Sequence, residues 1–187
     1  MFSANELKKE DYIVVGGEPY VILDKEHSHM QQRRAVVRLK IKNLKNGKVL
    51  DKSFQSSDSL EEADILKEAA VFIYSNRNEY WFHKKGDPSA RFSLGREAIG
   101  DLAEFLKPKM EVVILVFGEK IININLPVKA EYKVVEAPPA IKGVTAAGGT
   151  KQVKIESGAA VNVPMFIEEG DKIIVNTKKG EYVGRVS

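Results

Sequence analysis

Apolar and polar side chains alternate along most of this 187-residue chain, with short turns between the alternating segments. Because successive side chains of a β-strand point to opposite faces, this pattern predicts a protein made mostly of strands. Residues 13–15 and 20–23 flank a Gly-Gly pair, which is typical of a hairpin. A second hairpin is predicted over residues 37–42 and 49–54, around an Asn-Gly dipeptide. We therefore expect a small curled β-barrel over residues 1–64.

One short helix is predicted to interrupt the strands of the middle segment, residues 65–127. Residues 70–74 and 79–82 are rich in aromatic side chains and predict a hairpin. From Glu97 to Lys107, apolar side chains recur at i, i+3, i+4 and i+7, which indicates a helix. Strands resume at residues 111–117 and 120–126, on either side of a glycine. These elements predict a second compact unit.

The last segment, residues 128–187, predicts five short strands separated by glycine-marked turns. They lie at residues 131–136, 151–155, 160–163, 172–176 and 182–186. Five short strands in a segment of this length are typical of an oligonucleotide-binding (OB) barrel. The whole chain therefore predicts a mostly β fold of three consecutive small barrels in an elongated row, divided at 1–64, 65–127 and 128–187.

Positive charge is concentrated around the second hairpin. The net charge of the chain is +3, yet residues 25–52 carry nine basic side chains against only Glu26 and Asp51. Side chains alternate between the two faces of the strand in residues 37–42. Three cations therefore point outwards, and three apolar side chains point towards the core. Such a segment is typical of polyanion binding, with a solubilising charged surface as the alternative. The residues predicted to bind RNA phosphate are Arg38, Lys40, Lys42, Lys45 and Lys48.

A polar and basic loop is predicted between the two hairpins, at residues 27–34. It contains no glycine or proline that would make it a minimal turn, so we expect it to project. Long side chains on such a loop suit insertion into a cavity lined with phosphates, and an ordinary exposed loop is the alternative. The candidate residues of this loop are His29, Met30, Gln31, Gln32, Arg33 and Arg34.

A glycine-rich segment, residues 143–149, is predicted to be a loop whose backbone amides can approach another molecule closely. A plain flexible connector is an equally economical interpretation.

Catalytic and metal-binding motifs are absent from the sequence. Without cysteine there is no disulfide, thiolate metal site or cysteine nucleophile, which fits a reducing compartment. His27 and His29 have only His83 as a further histidine and no accompanying carboxylate pair, so no metal site is predicted. Phosphate-cradling and nucleophile-elbow motifs are missing, and the apolar runs are too short to span a bilayer. We expect a cytoplasmic protein that is not an enzyme and uses no cofactor.

Residues 151–170 resemble the signature of bacterial elongation factor P, in which a lysine is followed by a glycine seven residues on, a Val-Pro pair and a closing glycine. Further segments are similar to that family over essentially the full chain. They are Gly17-Glu18-Pro19-Tyr20, Phe54-Gln55-Ser56-Ser57-Asp58, Ala63-Asp64, Ala98-Ile99-Gly100-Asp101, Ile141-Lys142-Gly143 and Gly180-Glu181-Tyr182-Val183-Gly184-Arg185-Val186.

The resemblance implies an SH3-like, KOW-like N-terminal barrel followed by two OB-fold barrels. It implies a monomeric factor that binds ribosomal RNA and peptidyl-tRNA, next to the peptidyl site of a stalled ribosome. Such a factor stimulates peptide-bond formation at consecutive prolines without bond-making chemistry of its own. A general RNA-binding β-barrel protein with no role at the peptidyl-transferase centre remains the alternative.

Two departures from the family pattern concern the implied contact residues. An ungapped count places Gln32 where the family commonly has a modified lysine, and Gln32 has no amine to modify. A slip of one residue would place Arg33 there instead. In the C-terminal segment, Val144 replaces the aspartate of the family's tRNA-contacting loop. The residues implied to contact tRNA or the ribosome are Gly143, Thr145, Ala146, Gly148, Gly149, Tyr182 and Arg185. For Tyr182 and Arg185, a role in closing the barrel is the alternative.

Overall fold

The structure is a computed structural model, and it describes residues 1–28, 36–139 and 149–186. These residues form three antiparallel β-sheets, one short α-helix and one 3-10 helix. The predicted fold class, mostly β with three β-sheet domains and one short helix, is confirmed. Within the described residues, no helix is long and apolar enough to cross a membrane.

The N-terminal sheet has six strands in the order β1-β6-β2-β3-β4-β5. The strands are β1 (Phe2–Ser3), β2 (Tyr12–Val15), β3 (Glu18–Ser28), β4 (Val36–Asn43), β5 (Val49–Gln55) and β6 (Ser59–Glu62). Both predicted hairpins are confirmed. Gly16 and Gly17 adopt φ angles of 62° and 78°, which only glycine adopts readily, and they join β2 to β3 in a two-residue turn. Val37, Leu39 and Ile41 are fully buried, as their alternation predicted.

The middle sheet has five strands in the order β11-β10-β7-β8-β9. The strands are β7 (Ile65–Asn76), β8 (Glu79–Lys84), β9 (Asp87–Gly95), β10 (Glu111–Phe117) and β11 (Lys120–Asn125). The two predicted hairpins of this sheet are confirmed. No pattern in the sequence predicted β9, because Asp87, Pro88 and Ser89 open it with exposed residues that are not typical of strands.

The predicted helix is only partly α-helical. The α-helix α1 spans Arg96–Ile99, and a 3-10 helix follows over Gly100–Phe105. Gly100 has φ 60° and ψ −137°, a conformation available mainly to glycine, so the α-helix ends there. The apolar period still identified buried residues, since Ile99, Ala103 and Leu106 lie in the core.

The C-terminal sheet has five strands in the order β14-β13-β12-β15-β16. The strands are β12 (Lys129–Glu136), β13 (Thr150–Ile155), β14 (Ala160–Pro164), β15 (Lys172–Asn176) and β16 (Glu181–Arg185). All five predicted strands are confirmed. Numbered by their own chain order, the strands of this sheet and of the middle sheet both run 3-2-1-4-5. The first and last positions, β14 and β16, contact each other and close the sheet into a barrel.

Residue contacts group the chain into two compact units. The first unit comprises Met1–Glu68, Leu94–Gly100 and Val113–Ile124. The second unit comprises Ala69–Ser93, Asp101–Val112 and Asn125–Ser187. The predicted boundaries near residues 64 and 127 stay a prediction.

Inside the first unit, the turn after β4 is anchored to β11. Leu44 in this turn is buried against Leu115 and Ile122. The buried side chain of Asn123 donates from Nδ2 to the carbonyl oxygens of Leu44 at 2.8 Å and Ala98 at 2.9 Å. This anchor fixes the root of the β4–β5 connection.

Inside the second unit, Tyr132 and Glu156 tie the C-terminal sheet to the segment after α1. The Tyr132 hydroxyl donates to the Phe105 carbonyl oxygen at 2.7 Å, and burial together with the nearby Glu156 carboxylate raises the pKa of Tyr132. Glu156 Oε1 accepts from Lys107 Nζ at 3.0 Å and from the Lys133 backbone N–H at 3.0 Å. Burial opposes ionisation of Glu156, but these hydrogen bonds and the two lysine charges hold its pKa below the ordinary value.

Candidate nucleic-acid interface

The outer face of β4 presents the predicted row of cations. Arg38 and Lys40 are exposed and Lys42 is half-buried, while the residues between them are buried in the barrel. This arrangement follows from the period of two in an antiparallel strand with one face on the core. The structure therefore brings three of the five predicted phosphate-binding residues onto one face.

Carboxylates on the neighbouring strands balance this row. Glu26 on β3 lies in register with Arg38, and Lys40 lies in register with Asp24 on β3 and Asp51 on β5. All three carboxylates are exposed, and residues paired in register point to the same face of a sheet. The centre of the face is therefore close to neutral.

Lys25 belongs to the basic segment but does not face outwards with the row. Its ammonium group donates to the carbonyl oxygens of Asn5 at 2.7 Å and Leu7 at 2.8 Å. The side chain thereby anchors the N-terminal segment to the barrel, and this structural role removes one cation from the predicted surface.

The remaining predicted phosphate-binding residues, Lys45 and Lys48, lie in the connection between β4 and β5. Asn43 shapes this connection, because its Oδ1 accepts from the backbone N–H groups of Lys45 at 2.8 Å and Asn46 at 3.2 Å. Lys45 and Lys48 are both exposed, and Lys45 Nζ lies 3.7 Å from a carboxylate oxygen of Glu18. Lys45 therefore has a carboxylate partner of its own, whereas Lys42, the last cation of the β4 row, is flanked in register by Val21 and Val49 and not by a carboxylate.

The two strands on either side of the predicted loop, β3 and β4, are paired over more residues than the sequence predicts. β3 and β4 stay in register as far as Ser28 and Val36, so residues 27 and 28 belong to a strand and not to the loop. The loop candidates His29, Met30, Gln31, Gln32, Arg33 and Arg34 all lie outside the described residues.

The C-terminal candidates are only partly described. Gly143, Thr145, Ala146 and Gly148 lie outside the described residues, and Gly149 directly precedes β13.

Tyr182 and Arg185 lie on β16, where Tyr182 is half-buried and Arg185 is exposed. One guanidinium nitrogen of Arg185 lies 3.1 Å from a carboxylate oxygen of Asp171, which holds the arginine against the barrel.

The sequence alone does not show that carboxylates lie opposite these cations. Glu26 and Asp51 belong to the basic segment and Asp24 directly precedes it, but none of them is adjacent in sequence to the cation that it faces. The signal that finds them is strand pairing, because the two predicted hairpins bring residues that are far apart in sequence into register. Within the described residues, no group of three or more histidine, aspartate or glutamate side chains could hold a metal ion.

Two family models match the chain. Residues 3–60 match the elongation factor P KOW-like domain, and residues 130–185 match the elongation factor P C-terminal domain. Elongation factor P from Persephonella marina is 40% identical over 185 residues, which cover 98% of this chain and 96% of that protein. The chain belongs to the elongation factor P family. It is therefore a translation elongation factor, and the KOW-like and OB-like domains expected from the sequence are confirmed.

Other relatives span the same length. Elongation factor P from Aquifex aeolicus is 40% identical over 182 residues, covering 97% of this chain and 94% of that protein. Among solved structures, translation initiation factor 5A from Methanococcus jannaschii covers 66% of this chain and 94% of its own at 17% identity, with a TM-score of 0.47.

The elongation factor P signature of residues 151–170 forms part of the C-terminal barrel. Gly158 and Gly170 adopt φ angles of 95° and 93°, which other residues rarely adopt. The backbone N–H of Gly158 donates to the Ile155 carbonyl oxygen at 2.8 Å, and that of Gly170 donates to the Val134 carbonyl oxygen at 2.9 Å. Both glycines are thus explained by the turns that they build.

Proposed function

We propose that this cytoplasmic elongation factor acts as a monomer that binds ribosomal RNA beside a peptidyl-tRNA and stimulates peptide-bond formation at consecutive prolines. The observation that carries the proposal is the β3–β4 hairpin, whose register extends to Ser28 and Val36. Residues 29–35, which include Gln32, connect these two strands in the sequence. A paired two-stranded ribbon is suited to delivering the segment that joins its strands into an RNA cavity.

At the end of this hairpin, Gln32 meets the acceptor end of the peptidyl-tRNA. The glutamine amide offers two N–H donors and one carbonyl acceptor, and it has no amine to carry an extension. Gln32 therefore works through hydrogen bonds of its side-chain amide. Because the reaction is carried out by the ribosome, the factor supplies no catalytic group and raises the rate by positioning.

Phosphate contacts are shared unequally among the predicted cations. Arg38 has one carboxylate in register and Lys40 has two, whereas Lys42 is flanked in register by Val21 and Val49. At the β4–β5 end, Lys45 lies 3.7 Å from Glu18. A cation with compensating neighbours attracts phosphate more weakly. The β4–β5 end therefore contributes most of the phosphate binding.

In the C-terminal barrel, Tyr182 and Arg185 contact tRNA or ribosomal RNA together with the backbone of Gly143, Thr145, Ala146, Gly148 and Gly149. The exposed part of a half-buried tyrosine ring can stack on a base. Arg185 is held by Asp171, so it meets RNA in a fixed orientation.

Translation of a reporter with a run of prolines, in a reconstituted system, tests the proposal. We expect the purified protein to relieve the stall and the Gln32→Ala variant to lose the relief while still binding ribosomes. If the wild-type protein leaves the stall unchanged, the proposal is wrong. If Gln32→Ala relieves the stall as well as the wild type does, the factor stimulates peptide-bond formation without the Gln32 amide, and the role proposed for Gln32 is wrong.

The unequal sharing of phosphate contacts is tested by the salt dependence of ribosome binding. We expect Lys48→Ala to reduce the slope of the logarithm of affinity against the logarithm of salt by about 1. Lys52→Ala is the matched control, because Lys52 pairs with the buried Leu39 and belongs to the opposite face of β5. A larger loss of slope for Lys40→Ala than for Lys48→Ala would contradict this distribution.

A further inference from the structure

The middle and C-terminal sheets share a β-bulge at the same place in the fold. In the middle sheet, the register of β7 and β8 shifts between Phe72 and Tyr74. In the C-terminal sheet, the register of the corresponding strands β12 and β13 shifts between Val134 and Glu136. An extra residue at a bulge reverses the alternation of side chains, so the residue after it points away from the core.

In the middle sheet, this bulge turns an aromatic pair outwards. Phe72 and Phe82 form the buried pair before the bulge, and Tyr74 and Trp81 form the pair after it. The rings of Tyr74 and Trp81 are stacked, with centroids 6.2 Å apart and planes inclined by 17°. Tyr74 is 46% exposed and Trp81 is half-buried, so the stack forms part of the surface.

The fold does not require aromatic side chains at these positions. At the equivalent positions of the C-terminal sheet, Glu136 and Lys154 form an exposed ion pair with a distance of 3.1 Å. The same bulge and the same strand order are therefore compatible with a polar surface pair. The aromatic pair of the middle sheet is explained by something other than the backbone path.

The surroundings of the pair suit a nucleotide. Phe92 stacks on the buried Phe82, so its neighbour Arg91 points to the outer face, as Trp81 does. Arg91 is exposed, and Arg77 is exposed in the turn that joins β7 to β8. Of the four basic side chains in residues 74–95, Lys85 is paired with Glu111 at 2.8 Å and Lys84 lies in register with the buried Ala70. Arg77 and Arg91 are therefore the cations available to an anionic partner.

The position in the barrel supports the same partner. β8 and β9 are the second and third strands of the middle sheet, and OB folds bind oligonucleotides on the face formed by these strands. Aromatic side chains on that face act as stacking platforms for bases, while nearby cations contact the backbone phosphates.

We propose that Tyr74 and Trp81 form a stacking platform for an unpaired nucleotide of RNA, with Arg91 placed to contact its phosphate. The platform is a second RNA-binding site, and it does not depend on the function proposed for the β3–β4 hairpin.

Trp81 provides a local signal for the test, because it is the single tryptophan of the chain. Its emission is followed while the full-length protein is titrated with an unstructured RNA hexamer, an abasic hexamer of the same backbone, and the hexamer in a duplex. We expect saturable quenching by the single strand and little quenching by the other two, because only unpaired bases can stack on the indole. Gln32→Ala is expected to leave this quenching unchanged.

Substitution of Tyr74 tests the platform without loss of the signal. Tyr74→Ala is expected to weaken binding of the single strand roughly 5- to 100-fold, and Tyr74→Phe is expected to retain it, because stacking needs the ring and not the hydroxyl. Phe166→Ala is the matched control, since Phe166 is 61% exposed in the C-terminal domain. Melting temperatures of the variants confirm that each is folded.

Two outcomes would overturn the proposal. The first is equal quenching by the abasic hexamer, which would show that charge alone brings the RNA to the surface. The second is unchanged RNA binding in Tyr74→Ala, and if that variant then binds ribosomal proteins more weakly, the surface is a protein contact.

Discussion

The two five-stranded sheets follow one backbone plan and differ in the chemistry of their surfaces. Both have the strand order 3-2-1-4-5, and both carry a bulge between their first and second strands. The buried pair before the bulge is Phe72 and Phe82 in the middle sheet, and it is Val134 and Ile155 in the C-terminal sheet. Both pairs are apolar, while the pairs after the bulge are an aromatic stack in one sheet and an ion pair in the other. The comparison indicates that the buried pairs stabilise the shared strand arrangement, whereas the side chains of the exposed pairs can vary.

Substitutions in the buried pairs are expected to have the largest effect on the free energy of unfolding. Phe82 is fully buried, with ring centroids of Phe72 and Phe92 at 5.3 and 5.4 Å. Phe82→Ala is expected to lower the free energy of unfolding by about 3–5 kcal/mol, through lost burial and a cavity. Ile155→Ala is expected to cost about 2–5 kcal/mol and Ile155→Val about 0.5–1.5 kcal/mol. Urea denaturation measures these values, and a loss below about 1 kcal/mol for Phe82→Ala would show that the pair does not support the sheet.

The first strands of the two sheets differ in a buried hydroxyl, which lies two residues before Val134 in the C-terminal sheet and has no counterpart before Phe72 in the middle sheet. Tyr132 of β12 corresponds to Ala70 of β7, and only Tyr132 reaches a carbonyl oxygen, that of Phe105. Tyr132→Phe is expected to lower the free energy of unfolding by about 1–2 kcal/mol, because the buried carbonyl loses its donor. Tyr74→Phe is the control, since its hydroxyl is on an exposed ring and its loss is expected to change stability little. Equal effects of the two substitutions would mean that the Tyr132 bond does not stabilise the unit.

The residue that follows the buried pair on the second strand also differs between the sheets. It is His83 after Phe82 in the middle sheet and Glu156 after Ile155 in the C-terminal sheet. Because the folded state holds the pKa of Glu156 below its ordinary value, its stabilising effect is present above about pH 4.3 and is lost as the pH falls through the lowered pKa. Glu156→Gln is therefore expected to destabilise the protein at pH 7 and to match the wild type near pH 2. The effect at pH 7 is expected to be below about 1 kcal/mol, because the side chain is 36% exposed.

Thermal unfolding between pH 7 and 2 measures this difference. Glu111→Gln is the control, because the ion pair of Glu111 with Lys85 is exposed on both sides. A difference between wild type and Glu156→Gln that stays constant over the whole range would contradict the linkage to Glu156.

The strands and turns of this plan could be predicted from the sequence, but the bulges could not. Alternation identified Val37, Leu39 and Ile41 as core residues because one period of two runs through β4 without interruption. In β7, Ile73 is the extra residue of the bulge, and it reverses the alternation of side chains along that strand. A sequence pattern alone cannot distinguish a bulge from a strand that changes its exposed face. The sequence therefore predicts an aromatic hairpin here but not that Tyr74 and Trp81 face outwards together.

The candidate site shows the same limit. The cations of β4 were found because they are close in sequence, whereas Asp24 and Asp51 oppose Lys40 only through strand register. The end of α1 at Gly100 likewise depends on a backbone angle that the apolar period does not report.

The smallest expected effect concerns the ion pair after the bulge of the C-terminal sheet. The side chains of Lys154 and Glu136 are 49% and 69% exposed, so solvent screens their attraction. Lys154→Ala is expected to lower the free energy of unfolding by less than about 0.5 kcal/mol. A double-mutant cycle with Glu136→Ala isolates the coupling between the two side chains, and a coupling above about 1 kcal/mol would show that the outer pair stabilises the bulge.

A small coupling would sharpen the comparison. If the outer pair contributes little in the C-terminal sheet, the shared bulge does not depend on the side chains that follow it. The stacked rings of Tyr74 and Trp81 would then have no necessary role in the backbone path of the middle sheet. A bound RNA nucleotide would then explain why the two rings are exposed on the outer face of the middle sheet. The titration of Trp81 emission with unpaired RNA measures that binding directly.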